Sequence, residues 1–153
     1  MFFFKQRPTI YAVINQKGGV GKSTTAAAMW AGFTLRGFKT LAIDLDAQGN
    51  LSFTAAASSD GNTVLEVLTG SCTASEAIQS TPTGDIIAAS KALSGADAFI
   101  ADTGKEYRLR EALEPIKEQY DFIIIDTPPA LGILTVNALT ACHSVIRSEE
   151  RRV

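Results

Sequence analysis

The run Lys17-Gly18-Gly19-Val20-Gly21-Lys22-Ser23-Thr24 joins a β-branched, apolar stretch, Thr9 to Asn15, to an alanine-rich one, Lys22 to Arg36. Glycines between a strand and a helix let the backbone curl, so that successive N–H groups point into one anion-sized hollow. The free N–H groups and positive dipole end of the following helix add to it. Gly18, Gly19, Val20 and Gly21 would form that hollow. Lys22 would neutralise β- and γ-phosphate oxygens, Ser23 would give its hydroxyl to Mg2+, and Thr24 would reach the α-phosphate. A turn that merely caps a helix has no use for Lys-Ser at its helical end. The usual G-x-x-x-x-G-K-[ST] pattern places a glycine where this chain has Gln16, and Lys17 adds a second positive charge. Lys17 is either a solvated surface lysine or a group directed at the phosphates of a nucleotide held by a second copy.

Three carboxylates complete the chemistry. Asp44 and Asp46 end the apolar run that starts at Thr40, and Asp126 ends Phe122 to Ile125. Ligands of open α/β sheets are met at the C-terminal ends of parallel strands. Asp126 can hold the metal through water, and Asp46 is placed to orient or deprotonate an attacking water. Any one of these alone reads more readily as a loop cap; three of them together with the loop shift the balance.

The elements that must position these residues follow the same order. Thr9 to Asn15 reads as a strand, Lys22 to Arg36 as a helix closing on Gly37, and Thr40 to Leu45 as a second buried strand, which together make a β-α-β unit. Ala47 to Asn62 reads as loop. Thr63-x-x-Glu66 and Thr73-x-x-Glu76 are capping boxes, the first ahead of a short helix stopped by Gly70. Ile86 to Ala89 is a weak strand signal. Tyr107 to Gln119 is an amphipathic helix strained or divided at Pro115, Ile133 to Cys142 a further helix, and Ser144 to Ile146 the start of another strand. The fold class is α/β: a mostly parallel sheet flanked by helices, of the P-loop NTPase kind.

The sequence resembles the ParA/MinD branch of P-loop ATPases, the deviant Walker A family, and is most similar to the ParA (Soj-type) partition ATPases. KGGVGKST at 17–24, DLDAQGNLS at 44–52 and DFIIIDTPPALGILTVNAL at 121–139 carry the resemblance. It implies ATP and Mg2+ as cofactors and slow hydrolysis stimulated by a ParB-like partner. It also implies an ATP-dependent homodimer and a role in segregating DNA, with nonspecific DNA as a possible partner. By motif, Lys17 becomes the lysine acting on the partner copy's nucleotide, Lys22 the phosphate lysine, Ser23 and Asp126 the Mg2+ residues, and Asp46 the water-activating carboxylate. Asn50 is a weaker candidate for a contact across the dimer.

Composition bounds the rest. With 14 Lys and Arg against 16 Asp and Glu and 46% hydrophobic residues, the 153-residue chain is neither a disordered polar tail nor a strongly basic nucleic-acid coat. Cys72 and Cys142 have no metal-ligand spacing. The apolar start is too short for a signal peptide, and no amphipathic membrane helix of the MinD kind is present, which predicts a cytoplasmic protein without a membrane partner. The domain is expected over residues 1–146, followed by a charged tail at 147–153. Family members run on where this chain turns to charge, so the sequence predicts a shortened member. Its alternative function is a nucleotide-binding or dimerising fragment without turnover. Trp30 and Phe33 read as core rather than as a stacking platform for bases, and His143 as a loop residue.

Overall fold

The computed structural model describes residues 7–14, 22–100 and 103–147, with the side chains of residues 22–24 excepted. Six strands, Thr9–Ile14 (β1), Thr40–Asp44 (β2), Ile78–Ser80 (β3), Asp85–Ile87 (β4), Phe122–Asp126 (β5) and Ser144–Arg147 (β6), form one sheet. Their order is β3-β4-β2-β5-β1-β6. Every pairing is parallel except that of β3 with β4. The mostly parallel sheet inferred from the sequence is therefore the architecture of the chain, with one antiparallel edge strand added.

Side chains alternate across the strands, and each set finds a different layer. Leu41, Ile43, Ile123 and Ile125 face a large core shared with the helices Val64–Thr69 (α3), Arg108–Leu113 (α6) and Ile133–Ala141 (α7). Val13, Ala42 and Ile124 face the opposite way, against Ala26 and Trp30 of Lys22–Leu35 (α1) and Leu51 of Asn50–Thr54 (α2). The alanines of α1 let it approach the sheet closely, which is what a helix following a tight loop requires. The strands look like continuous apolar runs because both faces are covered.

Local signals account for most boundaries. Both capping boxes form: Thr63 opens α3, and Thr73 opens Ala74–Ala77 (α4). Gly70 ends α3 in the left-handed region at φ 79°. The segment around Pro115 divides as expected, with α6 stopping at Leu113 and a single 3-10 turn at Lys117–Gln119 beyond it, because proline cannot donate to the preceding turn. Phe33 stacks on Phe122 at 4.0 Å, and Trp30 is buried, so both are packing residues.

Two segments differ from the sequence reading. The stretch 47–62, which reads as loop, contains α2, and β3 follows α4 where the sequence carries no strand signal. Neither has a periodic signal long enough to read; α2 exists because Leu51 and Ser52 are drawn inward at the end of β2. A helix, Ala96–Phe99 (α5), also follows β4.

Gly84 closes the turn between β3 and β4 at φ 149°, and a Cβ there would stand 2.7 Å from both Thr40 Oγ1 and Trp30 Nε1. Gly84→Ala is expected to destabilise the fold by about 3 kcal/mol through overpacking and backbone strain. Trp30 is the only tryptophan, so its fluorescence in a urea titration reads the effect directly; an unchanged midpoint would refute the packing argument.

Candidate functional site

The sheet order brings together residues far apart in the chain. Asp126 lies in register with Val13 on one side and with Asp44 on the other. Thr127 fastens the next residue to β1 twice, donating to the Val13 carbonyl from its N–H at 3.3 Å and from its hydroxyl at 2.9 Å. On the other flank, the Leu45 N–H donates to the Asp126 carbonyl at 2.8 Å. The C-terminal ends of β1, β5 and β2 are thus locked side by side, with Asp126 fully buried between them. β1 ends at Ile14 on this edge, and α1 runs from Lys22 back to Thr34, whose hydroxyl lies 2.6 Å from that of Thr40 at the start of β2.

Of the residues singled out in the sequence, Lys17, Gly18, Gly19, Val20 and Gly21 lie outside the described residues. Lys22, Ser23 and Thr24 form the first turn of α1, which contains no acidic residue. The positive end of that helix is therefore not neutralised by a carboxylate of its own.

The two carboxylates at the end of β2 have different environments. Asp46 is 7% exposed; its Oδ1 accepts the Gln48 N–H at 3.1 Å, and its carbonyl accepts the Gly49 N–H at 2.8 Å. Gly49 takes up φ 66° to close this turn, a left-handed position that favours glycine. The Asp46 side chain borders a small cavity with Asp97, Pro128, Ala130, Gly132 and Ile133, so it faces the segment that follows Asp126. Asp97 Oδ1 also accepts the Ile133 N–H at 3.3 Å and supplies from α5 the cap that Gly132 lacks at the start of α7.

Asp44 has no exposure at all. Its Oδ2 accepts the Ser52 N–H at 2.9 Å and the Ser52 hydroxyl at 2.7 Å, and its Oδ1 accepts the Asp46 N–H at 3.1 Å. The Ser52 Oγ in turn accepts the Ala89 N–H at 2.9 Å. Burial pushes the Asp44 carboxyl above its ordinary range, and the hydrogen bonds from Ser52 and Asp46 oppose that rise. The sequence groups Asp44 with Asp46 and Asp126 as strand-end carboxylates; the structure makes it a brace. It ties β2 to α2 and to the segment after β4, and it holds the backbone that presents Asp46. Ser52 and Thr127 are the residues that sequence reasoning missed, because each acts through a contact with a distant strand or loop.

The remaining candidates have structural employment. His143 exchanges two hydrogen bonds with Ile10, accepting the Ile10 N–H on Nδ1 at 3.1 Å and donating its own N–H to the Ile10 carbonyl at 2.7 Å. Cys72 and Cys142 are free thiols, each pushed up by burial. No metal-binding cluster of His, Cys, Asp and Glu occurs among the described residues, and no helix among them is long and apolar enough to cross a membrane. Asn50 is exposed at the first position of α2.

The model of the AAA domain family matches residues 8–150. The chain belongs to this family. The Soj/ParA partition ATPases are its homologues. It is 43% identical over 135 residues to the chromosome-partitioning ATPase Soj of Treponema pallidum, covering 86% of this chain and 53% of that protein. The sporulation initiation inhibitor protein Soj of Bacillus subtilis is 40% identical over 142 residues, covering 90% of this chain and 56% of its own. A solved structure of cobyrinic acid a,c-diamide synthase from Mycobacterium smegmatis, with bound ATP analog and magnesium, superposes with a TM-score of 0.87 at 42% identity. It covers 92% of this chain and 59% of that one. The chain thus spans a little over half the length of the relatives it matches.

Proposed function

We propose that the chain is an ATPase of the partition type, which binds ATP with Mg2+ at the C-terminal edge of β1, β5 and β2. The observation that carries this reading is the register that puts Asp126 between Val13 and Asp44, with α1 running back from that edge to Thr40 at the start of β2. The donor set suits the group: a buried carboxylate, Asp126, and the Ser23 hydroxyl are hard oxygen ligands of the kind Mg2+ takes. When bound, Mg2+ withdraws charge from the β- and γ-phosphate oxygens. Lys22 and the N–H groups of Gly18 to Thr24 hold the phosphate chain against the positive end of α1. Asp46 orients the attacking water and accepts its proton. Lys17 acts on the nucleotide of a second copy, in an ATP-dependent homodimer with Asn50 near the junction. A ParB-like partner then stimulates turnover, and DNA is the cargo. Residues 1–146 make up the ATPase domain in this reading, ahead of the charged tail.

The names of the relatives divide between partition ATPases and a synthase. Partition is preferred because two relatives matched over 86–90% of this chain carry it in their names, the chromosome-partitioning ATPase Soj of Treponema pallidum and a chromosome partitioning protein ParA of Myxococcus xanthus. A second reading is a nucleotide-binding or dimerising fragment without turnover.

Binding and turnover of Mg2+-ATP by the 153-residue chain and by Lys22→Ala separate these readings. The partition reading expects turnover that falls about a hundredfold in the variant. Binding without turnover in the wild type would favour the fragment reading, and equal turnover in both proteins would overturn the site itself.

A further inference from the structure

The segment 127–132 joins Asp126 to α7, and its ties to the rest of the fold are unevenly spread. Pro128 and Pro129 have no N–H to donate. Thr127 is fastened to β1 through the Val13 carbonyl. Further on, the Ala130 carbonyl accepts the Thr135 hydroxyl at 2.9 Å, and the Gly132 carbonyl accepts the Val136 N–H at 3.1 Å. Both donors belong to α7, so these bonds join the segment to the first turn of the helix as one unit. Beyond that turn, α7 is tied to residues 105–109 through Asn137 and Thr140. At its start, the hydrogen bond to another element is that of Asp97, whose Oδ1 accepts the Ile133 N–H at 3.3 Å. A Cβ on Gly132 would stand 3.7 Å from Asp97 Oδ2 and 3.8 Å from Oδ1, so both carboxylate oxygens lie against the start of α7. The short helix α5 that carries Asp97 is itself anchored, since Ala96 and Ile100 are buried in the core that also takes Ile133 and Leu134.

Asp97 and Asp46 border the same cavity of about 160 Å3, whose walls include Pro128 and Gly132. The separation between Asp46 and the segment it faces therefore depends on where Asp97 holds the start of α7. We infer that Asp97 is a positioning residue for ATP hydrolysis: by holding the Ile133 N–H it keeps the segment after Asp126 at a fixed separation from Asp46. The inference rests on the ATPase reading proposed above. A carboxylate suits the task, because it accepts an N–H that the first turn of a helix cannot satisfy and meets the positive end of the helix. Hydrolysis draws on the placement of this group and not on its charge, and a displacement of about 1 Å away from the reacting atoms can cost a hundredfold in rate. Asparagine offers the same acceptor oxygen without the charge, so one pair of variants separates the two.

Single-turnover hydrolysis, equilibrium Mg2+-ATP affinity and amide hydrogen exchange of the full chain, Asp97→Ala and Asp97→Asn test this. Asp97→Ala is expected to slow hydrolysis by about ten- to a hundredfold with ATP affinity unchanged, and to speed exchange of the Ile133 amide without nucleotide by about tenfold. Asp97→Asn is expected to stay within about threefold of the wild type in both rates. A wild-type rate of hydrolysis in Asp97→Ala overturns the inference and leaves the ATPase reading intact. So does an Asp97→Asn variant as slow as Asp97→Ala, which would make the charge the working feature, and so does an Ile133 amide that exchanges no faster in Asp97→Ala. A loss of ATP affinity equal to the loss of rate would likewise overturn it, since that is the mark of a site that has come apart. A wild type that hydrolyses no ATP overturns the ATPase reading as well.

Discussion

Asp46→Ala lowers steady-state ATP turnover by about 10²- to 10⁴-fold, the range associated with losing a positioned general base, while ATP binding persists. The expectation follows from where Asp46 is held. Its carboxylate does not belong to the strand ladder; it sits in the turn closed by Gly49, buried to 7% exposure, and looks across a cavity at Pro128 and Gly132. A group in that place meets the segment just after Asp126, where the γ-phosphate and its water would be found in the proposed site. Binding depends on Lys22, Ser23 and the loop N–H groups, none of which the substitution touches. Single-turnover hydrolysis measured beside equilibrium ATP binding checks the split. Loss of binding together with turnover would mean that Asp46 supports the loop instead of the water, and unaltered turnover would remove it from the mechanism.

Asp44→Ala is expected to cost about 3 kcal/mol of folding stability, since it removes an acceptor used by three donors and strands the buried Ser52 N–H. The loss is smaller than three charged hydrogen bonds would suggest, because the variant also relieves the cost of keeping a carboxylate away from water. That cost has a pH signature of definite sign. Burial raises the folded-state value of this carboxyl above its ordinary 3.8, so the native state holds its proton to higher pH than the unfolded chain. The group's contribution to stability is then fully present below pH 3.8 and is lost as pH rises through the raised value. Urea midpoints of the wild type and Asp44→Ala, measured from pH 4 upward, should converge in slope only above that window. A change below about 1 kcal/mol at neutral pH would contradict the role of Asp44 as a brace. Because Asp44 also accepts the Asp46 N–H, turnover should fall with stability in this variant, whereas in Asp46→Ala it falls alone.

The chain's own residues determine a good deal locally. Apolar runs closed by aspartate, a glycine stretch ahead of an alanine-rich helix, two Thr-x-x-Glu boxes and a proline inside an amphipathic segment each have a short-range physical cause, and each element appears where that cause puts it. The same residues leave strand order undetermined. β1, β2 and β5 are all apolar on both faces, so no periodicity distinguishes a central strand from its neighbour. Only the assembled sheet puts β5 between β1 and β2 and so sets Asp126 beside Val13. The difference between Asp44 and Asp46, two residues apart, is likewise tertiary. Ser52, eight residues on, turns inward to claim one carboxylate and leaves the other facing the segment after β5. Arg147 shows the same division: as part of a charged run it looks like a solvated tail, and pairing with Ile14 on an edge strand brings its charge beside the end of β1. Propensity and capping act over a few residues and can be read along the chain, whereas pairing and burial join residues about 110 to 130 positions apart and exist only once the sheet has closed around them.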